Sequence, residues 1–316
     1  MTITQLKYAL AIAEHKNFTK AAEKCFVTQP TLSTQIHKLE EELDIIIFDR
    51  SKKPLELTEV GLKIINQAKN IVNESDRIQD IVDQQKGFIG GEFRLGVIPT
   101  IMPTLLPMFL KTFIKKYPKV KLKIEELTTQ DILTRLKDGH LDAALAATPL
   151  ESETIKERVL YYEPFVAYIP PNHRLAEKHK IEVADLEIDD MLLLEDGHCF
   201  REGVINLCKS FKNQIDDQFQ LESGSIETLI RLSNEGLGMT LLPYLHTLDL
   251  KNSLDKNLKY FVQPSPAREV SIIYHKSELK MQIINALHDV ISGIVRGAIA
   301  FEDVKIISPL ANKKTG

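Results

Sequence analysis

Between residues 4 and 15 apolar side chains recur three and four positions apart, at Leu6, Ala9, Leu10, Ile12 and Ala13, the spacing of one buried helix face. The pattern breaks at Asn17 and Phe18. A short second helix is predicted over 20–25, with Thr19 as its N-cap and Glu23 near the place of a capping-box acid. Val27-Thr28-Gln29-Pro30 then punctuates the chain. Pro30 is pre-set for a first helical turn, and Leu32, Ile36, Leu39 and Leu43 line one stripe of a third helix over 31–43. Two short helices around a tight break, the second opening on small polar side chains, form the layout in which a helix N-terminus enters the major groove of double-stranded DNA. Gln29, Pro30, Thr31, Ser33, Thr34, Gln35 and Lys38 are the candidate contacts on that helix.

The apolar run 45–48, the polar corner 49–54 and the run 55–57 predict a two-stranded wing whose basic residues Arg50, Lys52 and Lys53 suit phosphate. Residues 1–60 thus read as an α-rich winged helix-turn-helix. Thr58 caps a long amphipathic helix through Ile64, Ile65, Ala68, Ile71 and Ile78, a linker and dimerisation helix over 58–87. Gly87, Gly90 and Gly91 mark a domain boundary. Beyond it, strands at 93–97, 120–127 and 141–147 alternate with helices at 105–117 and 130–138, which predicts parallel α/β packing. Strand-like runs at 165–169, 191–194, 239–242 and 270–274, with helices near 226–235 and 280–295, extend the pattern through a domain over 91–300. The tail 301–316 has no partner element in this reading and is expected to fray.

A chain of 316 residues has room for two or more such domains, and 43% hydrophobic with 27% charged residues is the balance of a globular protein folded through most of its length. The N-terminus lacks the charged start and apolar run of a leader, and no stretch approaches a membrane span, so the chain is expected in the cytoplasm with no membrane partner. Cys25, Cys199 and Cys208 are too few and odd in number for a secreted-type disulfide framework. Any disulfide would be a redox event. The net charge of −4 excludes a basic coat for nucleic acid, and residues 1–60 themselves hold 8 Lys and Arg against 9 Asp and Glu. DNA binding must therefore rest on local lysines (Lys16, Lys20, Lys24, Lys38) and on the polar start of the third helix.

Residues 1–60 resemble LysR-type regulators through Ala21-Ala22, Thr28-Gln29-Pro30-Thr31-Leu32-Ser33, Gln35-Ile36, Leu39-Glu40, Leu43, Phe48, Arg50 and Leu57-Thr58 followed by Gly61. The resemblance implies a DNA-binding winged domain, a dimerising linker helix and a periplasmic-binding-protein-like regulatory domain of two α/β lobes. The second half is similar to the peroxide-sensing OxyR branch of that family, at Gly96-Val97-Ile98-Pro99-Thr100, Leu194-Glu195-Asp196-Gly197-His198-Cys199, Arg201, Cys208 and Ser225-Ile226-Glu227-Thr228-Leu229. This likeness runs over roughly 1–296 and stops short of the tail. It implies hydrogen peroxide as the signal, a homodimer or homotetramer, and RNA polymerase as a further partner; it implies no cofactor.

A cysteine pair in such a protein can be two buried small hydrophobes or a switch. The flanking match implies the switch, with Cys199 peroxidatic, Cys208 resolving, and Thr100, Thr129, His198 and Arg268 around the thiol. His198 and Arg201, as neighbouring cationic donors, are expected to lower the Cys199 pKa. If the segment between the cysteines is helical, their Cα atoms stand about 13 Å apart, against the roughly 4.4–6.8 Å of a disulfide, so Phe200–Leu207 would have to unwind, eased by Gly203. Cys25 reads as a packed core thiol. His198, Cys199 and Cys208 fall short of the four ligands of structural zinc. A LysR-type regulator with a small effector between its lobes, and a thiol peroxidase, are the competing readings.

Overall fold

The computed structural model describes residues 1–85, 88–208, 223–250, 255–299 and 304–310. Two compact units are distinguished, 1–88 and 89–316.

In the first unit, α1 (Ile3–His15) is opened by Thr2, whose hydroxyl accepts from Gln5 N at 3.2 Å while Gln5 Oε1 accepts from Thr2 N at 2.8 Å. This reciprocal capping box satisfies two of the helix's orphan N–H groups. The second helix, α2 (Phe18–Lys24), starts two residues before the predicted one. Asn17 is its cap, accepting from Lys20 N at 3.0 Å, so Thr19 lies inside the first turn. An Asn is as good a cap as a Thr, and the break at 17–18 is its signature. Thr28 caps α3 (Gln29–Leu43), with Pro30 in the first turn. Leu6, Ala9, Ile12, Ala21, Leu32, Ile36 and Leu39 close over one core with Phe48 and Ile65.

The wing is β1 (Phe48–Asp49) paired antiparallel with β2 (Glu56–Leu57). Glu40, 7% exposed, ties it to α3 by accepting from Ile47 N (2.8 Å), Phe48 N (3.2 Å) and Arg50 Nη2 (2.7 Å). Thr58 Oγ1 donates to Ile46 O (2.7 Å) and accepts from Gly61 N (2.8 Å), which starts α4 (Glu59–Gln85). A Cβ on Gly61 would overlap the Ile47 carbonyl oxygen. The Thr58…Gly61 spacing is thus a consequence of how closely α4 approaches the segment that leads into β1. Along α4, Ile78, Ile81 and Val82 stay exposed.

The second unit begins with β3 (Gly91–Val97), α5 (Met102–Lys116), β4 (Val120–Glu126), α6 (Thr129–Lys137) and β5 (Ala143–Thr148), and β3 pairs parallel with both β4 and β5. That is the predicted α/β alternation. The parallel expectation fails at the next neighbour. Two long strands, β6 (Ile155–Tyr168) and β10 (Ser265–His275), pair antiparallel with each other, and β10 pairs antiparallel with β5. Their length has a cause: Ile155, Leu160 and Tyr161 of β6 lie in the first lobe's core, whereas Phe165, Val166, Ala167 and Tyr168 lie in the second's. The chain crosses between lobes on these strands, so they run against the β-α-β direction.

The second lobe comprises β7 (Lys180–Ile181), α7 (Cys199–Leu207), α8 (Ile226–Asn234), β8 (Thr240–Pro243) and β9 (Leu258–Phe261), while α9 (Tyr244–Leu250) places Leu245 in the first lobe's core. The predicted strand at 191–194 is only a bridge between Met191 and Met239. After α10 (Met281–Val295), a further strand, β11 (Val304–Ile306), pairs parallel with Ser265–Ala267 of β10. The tail therefore has a partner element, against expectation. Three residues of alternating polarity carry too little periodicity to announce a strand that exists only because β10 offers backbone groups to it. Residues 301–303 and 311–316 lie outside the described ones.

Candidate functional site

The polar opening of α3 leaves Gln29, Pro30, Thr31, Thr34 and Lys38 exposed, with Ser33 and Gln35 half-buried. Thr31 is bound back to its cap, Oγ1 to Oγ1 of Thr28 at 2.8 Å. Gln35 Oε1 accepts from Gln5 Nε2 at 3.3 Å, so part of its amide is committed to α1. Arg50 is paired with Glu40 and lies over the Phe18 ring at 5.5 Å, yet its side chain stays 45% exposed. Lys52 and Lys53 stand exposed at the wing tip. One residue was missed by sequence reasoning: Phe26, in the turn between α2 and α3, is 96% exposed and holds φ +56°. An L-residue pays conformational energy in the left-handed region, and this aromatic ring recovers none of it by packing.

The second site is built around Cys199, the first residue of α7, with His198 in the N-cap position and no side-chain cap. Arg268, 3% exposed on β10, supplies its charge. The guanidinium donates from Nη1 to Thr100 Oγ1 (2.8 Å), from Nη2 to Thr100 O (3.2 Å), and from Nε and Nη2 to Glu163 Oε2 (2.9 and 2.7 Å), and it lies 5.3 Å from the Phe200 ring centroid. Glu163 is directly opposite Arg268 in the β6–β10 register and also accepts from Leu245 N at 2.9 Å through Oε1. A buried ion pair is tolerable only when its remaining donors and acceptors are satisfied in this way.

Burial pushes the Cys199 thiol above its ordinary value; Arg268, the Thr129 hydroxyl and the N–H groups of Ala147 and Cys199 pull it back only in part. The expectation of a lowered pKa is thereby corrected. Arg201 is turned away, donating to Leu194 O at 2.9 Å and lying 2.8 Å from Asp196. His198, 8% exposed, faces Glu195 at 3.4 Å. The opposing charge comes from Arg268, 69 positions on in the sequence, and desolvation outweighs it. The Thr129 hydroxyl, beside the thiol, is buried without an aligned hydrogen-bond partner.

Cys208 is the capping residue at the far end of α7. With nothing to oppose desolvation, its thiol is pushed up to about 11. All three thiols are free, and burial likewise raises Cys25. Around Arg268 stand two further groups absent from the sequence expectations. His246 on α9 is pushed down to about 4 by burial and by Arg268, and stays neutral; Tyr161 is pushed up by burial and by Glu163. Glu163 itself had a signal, as a lone carboxylate in the apolar run 160–169. A cavity of about 480 Å³ opens beside His198 and is faced by Glu126, Asp131 and Glu195.

Among the described residues no group of three or more His, Cys, Asp or Glu could hold a metal ion, and no helix is long and apolar enough to cross a membrane.

Residues 3–62 match the bacterial regulatory helix-turn-helix protein, lysR family, and residues 86–293 match the LysR substrate binding domain. A hydrogen peroxide-inducible genes activator of Dickeya chrysanthemi is 34% identical over 276 residues, covering 87% of this chain and 89% of the relative. The DNA-binding transcriptional dual regulator OxyR of Escherichia coli K12 is 33% identical over 274 residues, with coverage of 87% and 89%. Among solved structures, a full-length OxyR variant from Pseudomonas aeruginosa aligns with TM-score 0.71 at 32% identity, over 92% of this chain and 94% of that one. A mutant OxyR from Corynebacterium glutamicum, described as H2O2-bound, aligns with TM-score 0.64 at 28% identity over 94% and 93%. The chain belongs to the LysR family of DNA-binding transcription regulators and, within it, to the OxyR-like group.

Proposed function

We propose that this regulator senses hydrogen peroxide by a reversible disulfide between Cys199 and Cys208. The observation that carries the reading is what surrounds Cys199: a buried cation, Arg268, held by Glu163 and Thr100, acts on the thiol together with the Thr129 hydroxyl. The thiolate attacks one peroxide oxygen, the O–O bond breaks, and hydroxide leaves, to be protonated to water; Cys199 becomes a sulfenic acid. Arg268 stabilises the thiolate and the charge developing on the leaving oxygen, and Thr129 donates to the peroxide. Thr100 holds Arg268 in place, and His198 closes the side that faces the cavity. The Cys208 thiol then displaces water from the sulfenic acid and forms the disulfide, so two thiols and one peroxide give one disulfide and two waters.

Eight helical residues, Phe200–Leu207, separate Cys199 from Cys208, so closing the bond requires α7 to open. Opening repacks Phe200, Val204 and Leu207 in the second lobe and changes the spacing of DNA-reading heads in an oligomer. Exposed Ile78, Ile81 and Val82, three and four apart on α4, support pairing of two copies along that helix. Each head reads duplex DNA with Gln29, Pro30, Thr31, Ser33, Thr34 and Gln35, while Lys38 and Arg50 take phosphates and Phe26 adds an apolar contact at the edge of the same surface.

Non-reducing mass spectrometry after one equivalent of peroxide tests this. A Cys199–Cys208 linkage is expected, together with a shifted DNA footprint; two free thiols would overturn it. The 480 Å³ cavity beside His198 favours a second reading, a small effector bound there. Inert thiols with a footprint that shifts on adding a metabolite pool would select it.

A further inference from the structure

The last turn of α7 is held from outside the helix. Asn206 uses both N–H donors of its amide on the tail, Nδ2 to Ser308 O at 3.1 Å and to Leu310 O at 2.8 Å. The tail is itself anchored: β11 pairs with the start of β10, Ile307 N donates to Ala267 O at 2.8 Å, Ile307 packs on the second lobe's core, and Pro309 is buried. Ala267 is the residue before Arg268 in the same strand. One side-chain amide thus ties the end of the helix next to Cys208 to a segment that is fastened beside the other half of the thiol site.

Asn is a poor helix former, because its amide competes for backbone groups. At 206 that amide is taken up by carbonyls of the tail, so a residue that weakens the helix by propensity strengthens it by tethering. We propose that residues 304–310 form a strap that keeps α7 helical, and that Asn206 is the positioning residue through which the strap sets how readily Cys208 reaches oxidised Cys199. The inference rests on the disulfide reading above. It adds a step: the Asn206 contacts break before the sulfurs meet, so the tail is released on oxidation and recaptured on reduction.

The test separates the two chemical steps in the full-length, reduced protein. Sulfenic acid at Cys199 is trapped after peroxide in a Cys208→Ser background, and disulfide formation is followed by loss of free thiols. In Asn206→Ala, sulfenic acid forms at the wild-type rate and the disulfide forms about tenfold faster, the factor expected from losing two ordinary hydrogen bonds. Asn206→Asp, of the same shape but without a donor, behaves as Asn206→Ala does. Ile307→Pro, which removes the N–H given to Ala267, accelerates the same step from the tail side.

A purely helical role for Asn206 predicts the opposite sign, since Ala is the better helix former and would slow the opening of α7. An unchanged or slower disulfide step in Asn206→Ala overturns the strap while leaving the disulfide reading intact. A wild-type chain that forms sulfenic acid but no disulfide overturns both.

Discussion

The polar groups that shape the two units work over very different distances along the chain. In the DNA-binding unit Glu40 ties the wing to α3 through partners seven to ten positions away, and Thr58 caps α4 through Gly61, three positions on. In the sensing unit Arg268 meets Glu163 across 105 positions and Thr100 across 168. A local scaffold is damaged only by changes made within it. The thiol site depends on the register of β6 against β10, so a disturbance anywhere along two long strands can reach Cys199. That difference suits the proposed division between an output head that keeps one shape and a sensor that changes between two.

The largest expected effect is on the sensor alone. Cys199→Ser removes the nucleophile, so the peroxide-dependent footprint is lost entirely while DNA binding by the reduced protein persists; a residual response would place the sensing chemistry elsewhere. Next comes Arg268→Met, which leaves Glu163 buried without its partner and costs about 3–5 kcal/mol in urea unfolding of the sensing unit. The transition of the DNA-binding unit should not move. If both transitions shift, the contrast between local and long-range construction is wrong.

A pH experiment sharpens the comparison within the sensor. Both thiols have folded pKa values above the ordinary 9.0, Cys208 at about 11. A raised thiol pKa means that the fold favours the neutral form. The associated stability is complete below 9.0 and is lost as pH rises through about 11, and unfolding midpoints should fall over that window. Over neutral to mildly alkaline pH the rate of Cys199 oxidation should rise with the thiolate fraction, and alkylation should reach Cys199 before Cys208. Simultaneous labelling would contradict the assignment of the two roles.

Smaller effects are expected in the head. Gly61→Ala drives a methyl into the Ile47 carbonyl and should cost about 1–3 kcal/mol of that unit's stability. The sensor's thiol chemistry should be untouched. Smallest is Phe26→Gly, which relieves an L-residue held at φ +56° and should stabilise the head by about 1 kcal/mol, while weakening binding to duplexes selected from a random pool by the wild-type protein. A variant both more stable and equally tight on DNA would remove Phe26 from the contact surface.

Much of the head was legible beforehand because its signals are short. The stripe Leu32, Ile36, Leu39 and the pair Thr58 and Gly61 are periodicity and capping, and the structure moved the start of α2 only from Thr19 to Asn17. In the sensor, the α/β alternation of the first lobe could be read for the same reason. The antiparallel crossing of β6 and β10 could not, because strand direction is decided by what a strand pairs with and leaves no mark on its own residues. Arg268 came from a family likeness and by itself reads as a surface charge; Thr129 came from the same likeness and from its place after the strand predicted at 120–127, which suits a ligand site and a cap alike. The neighbours His198 and Arg201 were expected to lower the thiol's pKa, but neither is among the groups that shift it.

By itself, then, the sequence determined the helical head, the polar start of α3, the length of α4 and the placing of two cysteines nine positions apart. Tertiary structure alone decided that Cys199 lies under a buried arginine fixed by a glutamate from a neighbouring strand, that burial outweighs that charge, and that the tail is strapped to α7 through Asn206. The physical reason is range. Helix faces and caps are written in steps of three and four residues, whereas desolvation and ion pairing depend on which distant segments the fold brings together.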